Sequence, residues 1–323
     1  MVATGLSRKD PPLAGLTVLV VGLGRSGLAA VRLLVPKRAR VIVADRRAEA
    51  DLGPPAAAAA ALGARLITGG HPPDLADEAD LIVASPGVPA DEPLLAAARS
   101  RSVPVWGEVE LAFRFCRGRI VAITGSNGKS TTTSMAGAIL REAGIPGGTG
   151  GNLGTPFTEL LALDGPGAVH AVEISSFQLE TIDAFRPDVA AVLNLSPDRL
   201  DRYPSYDRYA ATKARILEAQ DAAGHAVLNA DDEASARFVV SARGRVHRFS
   251  TRTEIEDGAL LRRGKLVLRA TGEEEELMAA SELRVPGEDA GGEVEQPGAD
   301  DAAAPPQLGD LGQVEPVPVE PGL

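Results

Sequence analysis

Two doubly wound α/β units in series, followed by an acidic segment with no core of its own, are expected of this chain on three observations. Short β-rich runs alternate with amphipathic helical runs from about residue 16 onward. The alternation begins twice, each time with a strand that passes through glycines directly into a helix, at "VVGLGRSGLAA" and at "VAITGSNGKSTTT". Near residue 286 both periodicities stop.

The first unit reads in order as the strand "TVLVVG", the helix "SGLAAVRLL", the strand "ARVIVAD", an Ala-rich helix and the strand "ADLIVASPG", the pattern of a parallel sheet with covering helices. "VPVWGEVELAF" then leads into a second series. Its strands are "RIVAITG", "GAVHAVEIS", "DVAAVLNLS" and "HAVLNADD", with "KSTTTSMAGAILREAG" and "SYDRYAATKARILEAQ" as helices between them. The expected organisation is therefore an N-terminal domain over residues 1–108, a central domain over 109–286 and a tail over 287–323. The tail is rich in Pro, Gly and acid and has no aromatic residue, so it cannot bury enough apolar area to offset the entropy of ordering it, and is expected to be disordered.

Composition narrows the class. The 323 residues are 44% hydrophobic, mostly Ala, Val and Leu, which suffices for two ordinary cores. No apolar run approaches the roughly 20 residues that span a bilayer. "LTVLVVGLG" lacks a cleavage site and is too short for either a span or a signal peptide. A single cysteine, Cys116, excludes an internal disulfide and fits a reducing cytoplasm. Nine acidic residues and no Lys or Arg lie in 287–323, so that segment carries −9 of the net −11 and residues 1–286 carry only −2. A nearly neutral body offers no basic stripe to a nucleic-acid backbone. No nucleic-acid or membrane partner is expected.

Two glycine turns carry the chemistry. In "IVAITGSNGKST" a strand enters a helix through Gly125 to Gly128, a geometry that turns backbone N–H groups and a helix N-terminus toward an anion. Lys129 would reach the β and γ phosphates and Ser130 or Thr131 would ligate Mg²⁺, so ATP is the favoured ligand over a bare turn with a solvated lysine. Ile123 stands where the usual phosphate-loop pattern has glycine. In the first unit Gly22, Gly24 and Gly27 follow a strand with G-x-G-x-x-G spacing, and Asp45 ends the next strand, which makes the unit Rossmann-like. The loop suits a nicotinamide or flavin dinucleotide, a nucleotide-diphosphate substrate, or mere close packing. Glu173, at the end of a strand in "VEISSFQLE", is a candidate Mg²⁺ ligand or neighbour of one. Asp198 and Asp201 follow another strand, and Lys213 lies on the helix beyond.

The segments "GLGRSG", "ASPG", "WGEVELA", "TGSNGKST", "GGNLGTP", "EISSFQLE", "NLSPDRLDRY", "ATKARIL" and "LNADD", in this order, resemble the Mur ligases of bacterial peptidoglycan synthesis over residues 15–286. The resemblance implies a cytoplasmic amide ligase of cell-wall biogenesis, serving cell shape and division, in which ATP phosphorylates a substrate carboxylate and an incoming amine displaces the phosphate. The implied substrates are UDP-N-acetylmuramoyl-L-alanine and D-glutamate, and the implied cofactors ATP and Mg²⁺; a monomer is expected. Residue by residue, Gly125, Ser126, Asn127, Gly128, Lys129, Ser130 and Thr131 would hold ATP. Ser130, Glu173 and Lys213 would serve the metal, Lys213 as a carbamate, and Lys129, Glu173 and Lys213 would form the catalytic set. Arg25, Ser26, Asp45, Arg46 and Gly87 match uridine-diphosphate contacts, so the first glycine loop would bind substrate and no redox cofactor. Asn152, Ser175 and Gln178 would flank the muramoyl group and the reacting centre, and Arg199 would either bind substrate through a phosphate or carboxylate or mark an impaired site.

Two departures matter. Arg199 occupies a position that carries histidine in the family, and a guanidinium, always protonated and donor-only, cannot ligate Mg²⁺. Family members continue past a "PGEHN"-like segment into a third domain, whereas here "LRVPGED" passes into the acidic tail. The expectation is a shortened chain that binds the UDP substrate but does not ligate D-glutamate alone. The alternatives are a non-catalytic UDP-sugar- and ATP-binding remnant or an NAD-dependent oxidoreductase; "GLGRSG" opening a Rossmann-like domain argues against a folylpolyglutamate synthase relative.

Overall fold

The structure, a computed structural model, describes residue 6 and residues 9–152, 154–197, 202–270 and 272–283. The expectations placed on Asp198, Arg199, Asp201, "RVPGED" and the tail 287–323 lie outside the described residues. Residues 1–282 form one contact unit, and everything below concerns it.

Five parallel strands build the first sheet: β1 (Thr17–Val21), β2 (Arg40–Asp45), β3 (Arg65–Thr68), β4 (Leu81–Ala84) and β5 (Val105–Gly107), in the order β3-β2-β1-β4-β5. β1 and β4 are buried along their whole length, as continuous aliphatic runs in a sheet covered on both faces must be. Strand order reverses between β1 and β4, and there the loops that follow them diverge and leave a crevice beyond the strand ends. One glycine makes this corner possible. A Cβ on Gly27 would lie 2.0 Å from the carbonyl oxygen of Gly22, so the helix Arg25–Leu34 can pack on the turn only without a side chain there.

The second sheet holds β6 (Arg119–Thr124), β7 (Thr149–Gly151), β8 (Val169–Glu173), β9 (Val189–Val192), β10 (His225–Asn229), β11 (Arg245–Ser250), β12 (Gly258–Arg262), β13 (Lys265–Ala270) and β14 (Glu273–Ala279). Their order is β14-β13-β12-β11-β10-β9-β6-β8-β7, parallel from β7 to β12 and antiparallel beyond. β6 lies between β8 and β9, with Ile123 opposite Glu173 and Thr124 opposite Val192, so the turn after β6 emerges beside the ends of both neighbours. The sequence reading includes neither β3, β5, β7 nor β11–β14. "TGG" of β7 has almost no side-chain signal. β14, "EEEELMA", runs against strand propensity and is held at the sheet edge by cross-strand pairs of Glu274 with Arg262 and Arg269 and of Glu276 with Lys265.

The helix Glu108–Phe115 joins the two sheets and is buried at every position. Leu111 and Phe115 pack into the core under the first sheet, whereas Val109, Ala112 and Phe113 pack into the core of the second. Its charged residues are therefore interior, and each reaches across the joint. Glu110 accepts N–H bonds from Asp183, Ala184 and Phe185 and pairs with Arg114 at 2.6 Å. Arg114 also meets Asp183 at 2.7 Å and donates to the Leu6 carbonyl. Glu108 Oε1 accepts both the backbone N–H and the hydroxyl of Thr158, at 2.6 and 2.7 Å. Burial pushes the Glu108 carboxyl up to about 7, against the pull of the two Thr158 bonds.

Candidate active site

The phosphate-loop geometry expected after β6 is present. Gly128 takes φ 77°, the left-handed conformation, and the helix Lys129–Glu142 starts at the next residue with its first-turn N–H groups lacking intrahelical acceptors. The loop before it is less free than the sequence implies. Asn194, just past β9, receives the Ser126 N–H on its carbonyl and the Asn127 N–H on its side-chain oxygen, and returns its amide to the Asn127 carbonyl. The Ser126 hydroxyl is turned inward to Ser196 and the Tyr209 hydroxyl. An anion at this turn therefore depends on the helix terminus and on Lys129, whose Nζ reaches back to the Ser126 carbonyl at 2.8 Å.

Glu173, only 2% exposed, organises what lies beside the loop. Its Oε2 accepts the Ser130 hydroxyl at 2.7 Å and its Oε1 accepts the Asn152 amide at 2.7 Å. A hydroxyl and a carboxylate this close form a pair of hard oxygen donors of the kind Mg²⁺ takes, so the residues fit the ion that the phosphate-loop reading requires. Lys213, also 2% exposed, donates to the Gly125 carbonyl at 2.8 Å and to the Thr124 hydroxyl at 3.3 Å, and lies against the Tyr209 ring. It thus braces the underside of the loop as a hydrogen-bond donor. Thr131 lies exposed on the first helical turn.

The second cluster fills the crevice of the first sheet. A cleft of about 540 Å³ is lined by Arg25, Ser26, Asp45, Arg46 and Gly87, and also by Asn152 and Gln178 from the other half of the molecule. Arg25 crosses the cleft to donate to the Gly154 carbonyl at 3.2 Å. Asp45 is less available than the sequence suggests. One of its oxygens accepts the Leu23 N–H and an Arg47 guanidinium N–H, and the other accepts the Arg47 backbone N–H and Nε. Burial alone would raise this carboxyl, but the bonds from Arg47 and Leu23 outweigh it and hold it at about 2. Asp45 therefore shapes the glycine loop and leaves the outer face of the cleft to Arg46, which is anchored by buried Glu92. Ser175 and Gln178 form a reciprocal capping box on the helix Ser176–Leu179, which fixes Gln178 in the cleft wall.

The residues that the sequence reading assigns to two ligands thus meet in one place. Asn152 lines the cleft and bonds Glu173, which in turn bonds Ser130 of the phosphate loop. Sequence reasoning missed Asn194, Tyr209, Arg47 and Glu108, none of which stands in a pattern of its own.

Comparison with known proteins follows the same division. The family model for the Mur ligase middle domain matches residues 123–291, just over half the chain, and that for the Mur ligase MurD-like N-terminal domain matches residues 16–107. A UDP-N-acetylmuramoylalanine–D-glutamate ligase of Anaeromyxobacter dehalogenans is 54% identical over 245 residues, which cover 74% of this chain and 52% of that protein. The enzyme of the same name from Koribacter versatilis is 43% identical over 273 residues, 84% of this chain and 60% of that one. The chain therefore spans between half and three-fifths of the length of these curated relatives. Among solved structures, a UDP-N-acetylmuramate:L-alanyl-γ-D-glutamyl-meso-diaminopimelate ligase from Neisseria shares the fold with a TM-score of 0.53 at 19% identity, over 82% of this chain and 85% of that one.

Proposed function

Because the chain belongs to the Mur ligase family, we propose that residues 1–108 seat UDP-N-acetylmuramoyl-L-alanine, that residues 109–286 hold ATP, and that together they serve the ATP-dependent addition of D-glutamate to that substrate in the cytoplasm. The observation that supports this most directly is the continuous path from the cleft through Asn152 and Glu173 to Ser130.

A carboxylate is a poor electrophile, and the reaction first makes it a better one. An oxygen of the substrate carboxylate attacks the γ-phosphorus, the bond to the ADP oxygen breaks, and an acyl phosphate results. The amine of D-glutamate then attacks the acyl carbon; its proton goes to solvent and inorganic phosphate departs with the electron pair of the C–O bond. Most of the catalysis is positioning and charge neutralisation. Gly128, Lys129 and the first helical turn would cradle the β and γ phosphates, with Ser126 and Asn127 fixing the turn through Asn194 and Gly125 held through Lys213. Ser130 and Glu173 would hold Mg²⁺, which when bound supplies positive charge opposite the transferring phosphoryl group. Lys213 would brace the loop from beneath in the amine form, or extend the metal site if carbamylated. Arg25, Ser26, Arg46 and Gly87 would contact the uridine diphosphate, with Asp45 holding their loop, and Asn152 and Gln178 would flank the carboxylate end.

Calorimetric titration of the chain with UDP-N-acetylmuramoyl-L-alanine and, separately, with ATP and Mg²⁺ tests the reading. Saturable binding of both, with UDP displacing only the first, is expected. Tight binding of NADH in place of either would contradict it.

A further inference from the structure

We infer that His225 and His247, on adjacent interior strands of the second sheet, form a surface site for a divalent transition-metal ion, with Asp257 orienting one of them, toward the strand ends opposite the phosphate loop. His225 opens β10, and β10 and β11 run parallel with Val227 beside His247. The phosphate loop follows the far, C-terminal end of the same set of parallel strands. The two clusters therefore lie at opposite ends of the sheet.

The argument rests on which nitrogen carries a proton. An ionised carboxylate only accepts, so the 2.8 Å contact between His247 Nδ1 and Asp257 Oδ1 makes Nδ1 the protonated nitrogen and leaves Nε2 with its lone pair. That lone pair faces His225 Nδ1 at 2.9 Å. The rings are only 19° from parallel, yet their centroids are 5.2 Å apart, so the rings meet edge to edge with their in-plane nitrogens facing. In its other tautomer, with the proton on Nε2, His225 presents a second lone pair to the same point. A metal ion then takes the place of the shared proton, in the carboxylate–histidine–metal arrangement in which the carboxylate fixes tautomer and ring orientation. Two imidazole nitrogens on one tetrahedral zinc stand about 3.3 Å apart with their lone pairs converging on the ion, so these nitrogens, which now face each other directly, must separate by a few tenths of an ångström while each ring tilts by roughly 35°. His247 is 26% exposed and Asp257 32%, which leaves the site open to ions and to the waters that complete the coordination. Imidazole donors favour Cu²⁺, Ni²⁺ and Zn²⁺ over Mg²⁺.

A second cluster shows the opposite logic. Cys116, Asp164 and His170 offer ligand atoms within 4.8 Å of one another in the interior. There His170 Nδ1 accepts the Gly148 N–H, so Nε2 carries the proton and gives it to Asp164, which also receives the Arg117 and Gly118 N–H groups. Burial and the neighbouring carboxylate push the Cys116 thiol up to about 12. Its lone pairs are committed to hydrogen bonds and its thiol stays protonated, so this cluster is a structural network.

The test uses the untagged full chain, stripped with chelator, and Zn²⁺ and Cu²⁺ as probes. Calorimetry is expected to find one zinc per chain at this site, bound at least tenfold more weakly by His247→Ala and by His225→Gln but unchanged in Glu173→Gln, which separates it from the magnesium pair. The electron paramagnetic resonance spectrum of the Cu²⁺ form is expected to show two imidazole nitrogens, and one in either histidine variant. Zinc affinity equal to wild type in both histidine variants, or a copper spectrum without coupled nitrogens, would overturn the proposal.

Discussion

Ser130 Oγ donates to Glu173 Oε2 at 2.7 Å, from the first turn of one helix to the end of a strand two residues short of another. The bond prearranges two oxygens beside the turn proposed to receive phosphate. Glu173→Gln keeps a hydrogen-bond acceptor but removes the charge, so ATP affinity measured with Mg²⁺ is expected to fall about tenfold, a loss of ~1.4 kcal/mol, while affinity measured in chelator stays nearly the same. Equal affinity in both conditions would remove Glu173 from the metal.

The Glu108 carboxyl gives a second prediction, and its sign follows from the direction of the shift. It sits near 7 in the folded chain against 4.5 ordinarily, so folding favours the protonated form. Its stabilising contribution is complete below about pH 4.5 and is lost as pH rises through 7, amounting to on the order of 3 kcal/mol. Urea unfolding of wild type and Glu108→Gln at pH 5 and pH 8 is expected to show the variant gaining relative to wild type at the higher pH. A stability difference independent of pH would contradict this.

Asp45→Asn leaves the Arg47 guanidinium with a single side-chain oxygen to share with the Leu23 N–H. A cost of about 1–3 kcal/mol in folding is expected, with weaker UDP binding because the glycine loop loosens. Since the Asp45 carboxyl is held at about 2, its contribution should persist above pH 3.8 and fade only as pH falls toward 2. Acid unfolding followed by circular dichroism checks both points.

Arg114→Met removes the cation from the interior of the joint between the sheets and leaves Glu110 buried with its backbone donors alone. Breaking a buried pair in this way is expected to cost roughly 3–5 kcal/mol, read as a lower urea midpoint. Gly27→Ala should unfold the first sheet more readily, because the added carbon meets the Gly22 carbonyl backbone at 2.0 Å and no rotamer change relieves that contact.

The parts of this molecule that were legible in its sequence are those that a local pattern can carry. β1, β2, β4, β6, β8, β9 and β10 are aliphatic-rich runs, and the glycine turns after β1 and β6 are visible in their spacing. β14 was hidden because four glutamates make a strand only when Arg262, Lys265 and Arg269 stand across from them, which the segment read by itself does not show. Glu108 and Glu110 were hidden because a charge in a helix reads as a solvated face until two cores close over it. In the site, Ser130, Glu173 and Asn152, which stand in separate sequence motifs, are joined by hydrogen bonds, and the capture of the Ser126 and Asn127 N–H groups by Asn194 could be seen only in three dimensions.

The central claim, that the turn at Gly128 holds ATP phosphates beside a cleft filled by a UDP-linked carboxylate, is tested most directly by titrating ATP with Mg²⁺ into wild type and Lys129→Ala, each saturated with UDP-N-acetylmuramoyl-L-alanine. Lys129→Ala is expected to lose ATP affinity by tenfold or more while still binding the UDP substrate as wild type does. Unchanged ATP affinity in that variant would contradict the account.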